Sequence, residues 1–144
     1  MFNQSPDERL SSWSQFRKDL DQALNPLHDT VTLWTSAPFV PYNTDVDPYN
    51  QFGWPTPWEI LINNKYDDFT KALMMSWTLK LTNRYKDSKI EIKTVIDTAS
   101  KLYYNIVCVD DNSVLNYVDN EVVNIENLPD TFRLENLIEV HSPR

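Results

Sequence analysis

The chain has 144 residues, a formal charge of −8 at pH 7, 41% hydrophobic and 24% charged residues, and one Gly. That length suits a single domain spanning 1–144 that buries about two thirds of its unfolded surface, and the near-average composition argues against disorder. The acidic excess disfavours direct nucleic-acid binding, which depends on Lys and Arg displacing counterions, and the lone Cys excludes an internal disulfide or a thiolate zinc site.

The opening stretch MFNQSPDERL has no charged segment followed by an apolar one, and no run approaches the roughly 18 apolar residues of a membrane span. Neither a leader peptide nor membrane contact is expected. Ser5-Pro6-Asp7-Glu8 has the form of a capping box with Pro at the first helical position. Leu10, Trp13, Leu20 and Leu24 then recur at helical spacing until Asn25-Pro26, which predicts a helix over about 6–24.

Residues 27–56 hold a short β-prone piece, TVTLW, and then SAPFVPYNTDVDPYNQF, which has neither a helical nor a strand period. This reads as an irregular arm rich in aromatics and prolines. Such an arm persists only if its aromatics pack at home or meet a partner. Phe39, Tyr42, Tyr49, Phe52 and Trp54 are its candidate partner-binding residues. Asp45 and Asp47 lack the spacing, central Gly and closing Glu of a calcium loop.

Thr56-Pro57-Trp58-Glu59 repeats the first cap and opens a helix over about 57–63, with Trp54 placed to close over Ile60 or Leu61 as a staple. After Asn63-Asn64, Asp67 and Asp68 suit the positive end of a helix dipole, and FTKALMMSWTLKL is apolar on most of its circumference. A central helix over about 66–82 is predicted. From about 89 to 140 the chain reads as strands: KIEIKTVI, LYYNIVCV, a turn at Asp110-Asp111-Asn112-Ser113, VLNYV, EVVNI and TFRLENLIEVH. The whole is an α+β chain in which three helices pack on an antiparallel β-meander.

No catalytic residues, cofactor or metal ligands are expected. Cys108 falls mid-strand with no nearby feature to lower its pKa, while His28 and His141 are isolated in sequence. One Gly cannot build a glycine-rich nucleotide loop. The order of elements over residues 57–118 resembles the minimal core of transglutaminase-like and papain-like thiol enzymes. That resemblance implies a Cys opening the core helix, where NNKYDDFTKAL offers Tyr66 or Asp67. It implies a His in the second strand, where Tyr104 or Asn105 stands, and an Asp or Asn in the third, where Asn116 stands. Two of those three groups are missing, so the resemblance implies a scaffold whose chemistry has been lost.

The Asn- and Tyr-rich, Gly-poor composition and the WPTPWE stretch are similar to small proteins of tailed bacteriophages. The expectation is a non-enzymatic structural or interaction protein, a virion component of head–tail or tail assembly, found in the virion or the host cytoplasm. Its partners would be other protein subunits. The alternative is an acidic inhibitor of a host defence enzyme, with Asp110, Asp111, Asp119 and Glu121 as mimics of phosphate charge. A thiol enzyme is the remote third reading.

Overall fold

A computed structural model describes residues 1–143. Helix α1, Pro6–Leu20, starts at Ser5, whose side chain accepts from the Glu8 amide at 3.4 Å. The Ser5 hydroxyl donates to the Glu8 carboxylate at 2.8 Å, so Glu8 closes the cap through the side chain. The helix ends four residues before the predicted 24. Asp21 turns away to accept from the Asn83 and Arg84 amides, and Leu24 is left in solvent.

Asn25-Pro26 then begins a helix instead of ending one. Helix α2, Pro26–Thr35, occupies the stretch that reads as β-prone and irregular, which gives four helices in place of three. Its Thr and Val residues favour strands by intrinsic propensity. Packing overrides that preference: Val31 and Trp34 are fully buried, and the Thr30 and Thr35 hydroxyls fold back on the carbonyls one turn earlier, each at 2.8 Å. The irregular arm is therefore 36–56.

Helix α3, Pro57–Asn63, has the predicted reciprocal capping box between Thr56 and Glu59, and Asn64 ends it in the left-handed region. Trp54 packs against the core cluster that holds Ile60 and Leu61. Its ring packs on Phe69 and Trp77, with centroids 5.7 and 6.1 Å away. Both belong to helix α4, Asp68–Lys80, which Asp67 caps by accepting from the Thr70 amide at 2.8 Å. Residues Phe69 to Leu79 are almost all buried, as the predicted central helix requires. Tyr66, inside the predicted span, instead bridges to Phe39 in the arm. At the centre of the core the Thr78 hydroxyl accepts from the Trp13 and Trp34 indoles at 3.0 and 3.1 Å and donates to the Met74 carbonyl. No polar atom of that hydroxyl is wasted, so three helices are pinned at one point.

Five strands follow: β1 Ile90–Asp97, β2 Tyr103–Val109, β3 Ser113–Leu115, β4 Val123–Asn124 and β5 Phe132–Glu139. All pairings are antiparallel, in the order β4-β3-β2-β1-β5. The meander holds as far as β4. The chain then crosses the sheet and adds β5 to the far edge, beside β1. The β2–β3 turn carries Asp110 and Asp111 at φ 52° and 55°, the paired positive values of a hairpin turn of the primed type. Asn64, Asn116 and Asn120 also take positive φ. Asn and Asp thus do the work that Gly usually does, which is how a chain with one Gly forms tight turns.

Alternation gives the sheet two apolar faces. Ile90, Ile92, Val107, Val109, Leu115 and Ile138 pack toward the helices. Val95, Ile106, Cys108 and Val114 form a second cluster on the outer face, closed by Tyr104, Tyr117, Ile125, Leu128 and Phe132. Among the described residues no helix is long and apolar enough to cross a membrane.

Candidate functional site

The arm is tied down by a few backbone-directed contacts. Pro38 and Val40 exchange hydrogen bonds with Tyr66, at 3.1 and 3.0 Å. Asn43, itself buried, donates its amide to the Asp67 carboxylate at 3.0 Å and its side chain to the Lys65 carbonyl at 3.1 Å. Lys65 also pairs with Asp45 at 3.2 Å. Val46 enters the core, and Asp47 accepts from the Tyr49 amide on one side and through its carbonyl from the Trp54 indole on the other. These anchors hold the path of the arm without using most of its aromatic rings.

Those rings face outward. Phe39, Tyr42, Tyr49 and Phe52 are 63%, 71%, 77% and 85% exposed. Of the five predicted partner-binding residues, Trp54 differs, because it is half-buried against α4 and serves as the anchor of the arm. Phe39 lies 5.7 Å beneath the Lys71 ammonium, which also donates to the Thr35 carbonyl. Asp45 and Asp47 are engaged as described. Among the described residues no group of three or more His, Cys, Asp or Glu is placed to share a metal ion.

Next to the arm lies an open cleft of about 560 Å³ between residues 51–56 and 137–143. Phe52, Trp54 and Trp77 line one side, and Leu137, Glu139 and His141 the other. Sequence reasoning missed it. Its walls come from stretches sixty or more positions apart in the chain, and the one available signal was that TFRLENLIEVH reads as an edge strand.

The positions that resemble a thiol-enzyme core partly converge. Asn105 on β2 and Asn116 after β3 meet at the start of α4, but the residue that receives them is Asp68 and not Tyr66 or Asp67. Its carboxylate accepts from the Asn105 amide at 3.2 Å, from the Asn105 side chain at 2.9 Å and from the Asn116 side chain at 3.2 Å. Desolvation raises the pKa of Asp68, and the hydrogen bonds from Asn105 and Asn116 oppose that rise. Tyr66 is buried in an aromatic cluster with Phe2 and Trp34, and burial pushes its phenol up. Asp67 is taken up by Asn43 and Thr70. Tyr104 stacks with Phe132 on the outer face.

The other reactive types are poorly placed for chemistry. Cys108 is 1% exposed on the outer face of β2, and burial raises its thiol pKa, which lowers its thiolate fraction and nucleophilicity. His28 is exposed 4.0 Å from Asp29. The backbone carbonyl of His141 accepts from the Trp77 indole at 3.2 Å. Of the acidic candidates, Asp110 accepts from the Lys89 amide and Asp111 pairs with the Lys89 ammonium at 2.8 Å, so both are used in closing their turn. Asp119 and Glu121 remain exposed on the loop after β3.

No protein-family model matches the sequence, and no curated protein matches it either.

Proposed function

We propose that this chain is a non-enzymatic interaction protein, a subunit that docks on other proteins through its arm, within the virion of a tailed phage at the head–tail or tail stage of assembly. The observation that carries this reading is the exposure of Phe39, Tyr42 and Tyr49 on a backbone that is otherwise firmly anchored. A flexible loop would lose entropy on binding, whereas an anchored one has already met that cost. Large rigid rings held this way resemble the anchors that dominate protein interfaces. The charge of −8 favours encounter with a basic partner surface.

The acidic-inhibitor alternative has less in its favour, because two of its four candidate carboxylates are engaged within the fold, Asp110 by the Lys89 amide and Asp111 by the Lys89 ammonium. The two settings separate on a direct measurement. Quantitative mass spectrometry of purified particles is expected to find the chain at a fixed ratio to other virion proteins. Absence from the particles, with free protein in the host cytoplasm, would end the virion reading. For the docking role, F39A/Y42A/Y49A is expected to lose incorporation while the isolated protein keeps its Tm. If the isolated protein melts equally early, the arm belongs to the core and its role in docking is withdrawn.

A further inference from the structure

We propose that the free edge of β5, with the cleft beside it, is a strand-addition site for an extended protein segment bearing an apolar side chain and a Lys or Arg. The proposal rests on the reading of this chain as a protein-binding subunit. It concerns a surface separate from Phe39, Tyr42 and Tyr49.

Strand order leaves one side of β5 unpaired. The other edge strand, β4, is two residues long, whereas β5 has eight. The Val140 amide donates to the Ile90 carbonyl at 2.8 Å, and Ile92 pairs with Ile138. In an antiparallel ladder the groups that face a given neighbour belong to alternate residues. Leu137 and Glu139 therefore direct their N–H and C=O groups outward. Near Asn136 the register slips: Thr94 pairs with Asn136 and Val95 with Leu134, so Glu135 is an extra residue on β5. A bulge of this kind twists an edge away from further pairing. It protects the first half of β5 and leaves the stretch from Leu137 onward regular.

That regular stretch borders the cleft, where Phe52, Trp54 and Trp77 form an aromatic wall. An open edge with an adjoining side-chain pocket is the combination used when a peptide joins a sheet: the main chain supplies hydrogen bonds and alternate side chains fill the pocket.

Charge selects the occupant. Glu139 sits directly opposite Glu91 across the β1–β5 pair, and like charges in that position repel. Lys89, 3.7 Å from Glu91, is more closely engaged by Asp111 at 2.8 Å, and neither Lys89 nor Lys93, two residues on from Glu91 on the same face, forms an ion pair with Glu139. Among the described residues the Glu139 side chain has no hydrogen-bond or ion-pair partner. Glu139 lies at the rim of the cleft, and alternation with Ile138 turns its side chain to the outer face of the sheet, where the alternate side chains of an added strand would meet it. A second copy of this chain would bring another Glu139 and another charge of −8 to the same edge. A basic strand would instead relieve the Glu91–Glu139 repulsion.

The test uses a short synthetic peptide alternating Thr and Val, with one Trp and two Lys, added to the full-length protein and followed by amide NMR and hydrogen exchange. Binding is expected to slow exchange at Leu137 and Glu139 and to vanish when the pairing amides of the peptide are N-methylated. The same peptide with Glu for Lys, or the Lys peptide on Glu139→Gln, is expected to bind roughly fivefold more weakly, the scale of one partly exposed ion pair. The arm variant F39A/Y42A/Y49A is expected to bind the peptide as the parent does. Loss of arm docking and loss of this site are thus read separately. Absence of binding at millimolar peptide, binding that leaves the Leu137 and Glu139 amides unprotected, or equal affinity for the Lys and Glu peptides would overturn the proposal. So would self-association that protects the same amides without peptide.

Discussion

The arm at 36–56 and the connection from β3 to β5 are both largely irregular, and they use their large side chains in opposite directions. The connection turns Tyr117, Ile125 and Leu128 inward and delivers Phe132 to a triangle of rings in which Tyr104, Tyr117 and Phe132 lie within 5.2–5.6 Å of one another. It is a lid on the outer face of the sheet. The arm is fastened by Asn43, Val46 and Trp54 and turns most of its remaining rings to solvent. A segment needs only a few anchors to hold its path, so aromatics beyond that number, left exposed, point to a role outside the fold.

Five substitutions and one titration probe that contrast. Phe132→Ala should open the lid and cost about 3 kcal/mol, the lower end for a truncated aromatic because the ring is only half-buried. Urea unfolding would measure it, and a loss below 1 kcal/mol, on the order of a surface change, would show that the lid is ornamental. Asn43→Ala removes a buried anchor and leaves the Lys65 carbonyl without its donor, at a cost of about 2 kcal/mol. Hydrogen exchange should then accelerate in the arm and stay unchanged in the lid. Acceleration in both would mean that the two regions open as one unit.

Thr56→Ala, at the exit of the arm, should cost about 1 kcal/mol through loss of the α3 cap. A smaller effect comes from Asp68, which ties the start of α4 to Asn105 and Asn116. Its pKa is raised in the folded state, so the folded protein holds this proton more tightly than the unfolded chain does. The stability it contributes is therefore present in acid, below the unfolded pKa, and is lost as the pH rises through the folded value. Relative to Asp68→Asn, the parent protein should be most stable in acid and lose ground toward neutral pH. Asp68 keeps contact with solvent, so the change is modest. A difference that stays flat across this range would show that the carboxylate is not desolvated. The smallest expected effect is at the tips of the arm, where Tyr42→Ala and Tyr49→Ala should each shift unfolding by no more than about 0.5 kcal/mol. A larger loss in either would turn the arm from a docking surface into a second lid.

Features set by a few neighbouring residues are legible in the amino-acid sequence. Ser5 and Thr56 announce helix starts because a cap is made within four residues, and Asp110-Asp111 announces a hairpin because its backbone conformation is a local property. The apolar circumference of α4 marks the central helix for the same reason. Four of the five candidate docking residues are exposed, as a period-free aromatic arm suggests, though Trp54 turns inward.

Tertiary structure decided what depended on distant partners. Local propensity reads Thr30, Val31 and Thr32 as strand, yet burial of Val31 and Trp34 against α4, where the Trp34 indole meets Thr78, made them helix. Nothing near β5 in sequence says that it pairs with β1, some forty residues away, and not with β4 beside it. That choice closes the outer face and creates the cleft with Phe52 and Trp54. Caps and turns are settled by the energies of a few adjacent dihedrals and hydrogen bonds, whereas strand partners and pockets are settled by which surfaces the whole chain can bury together.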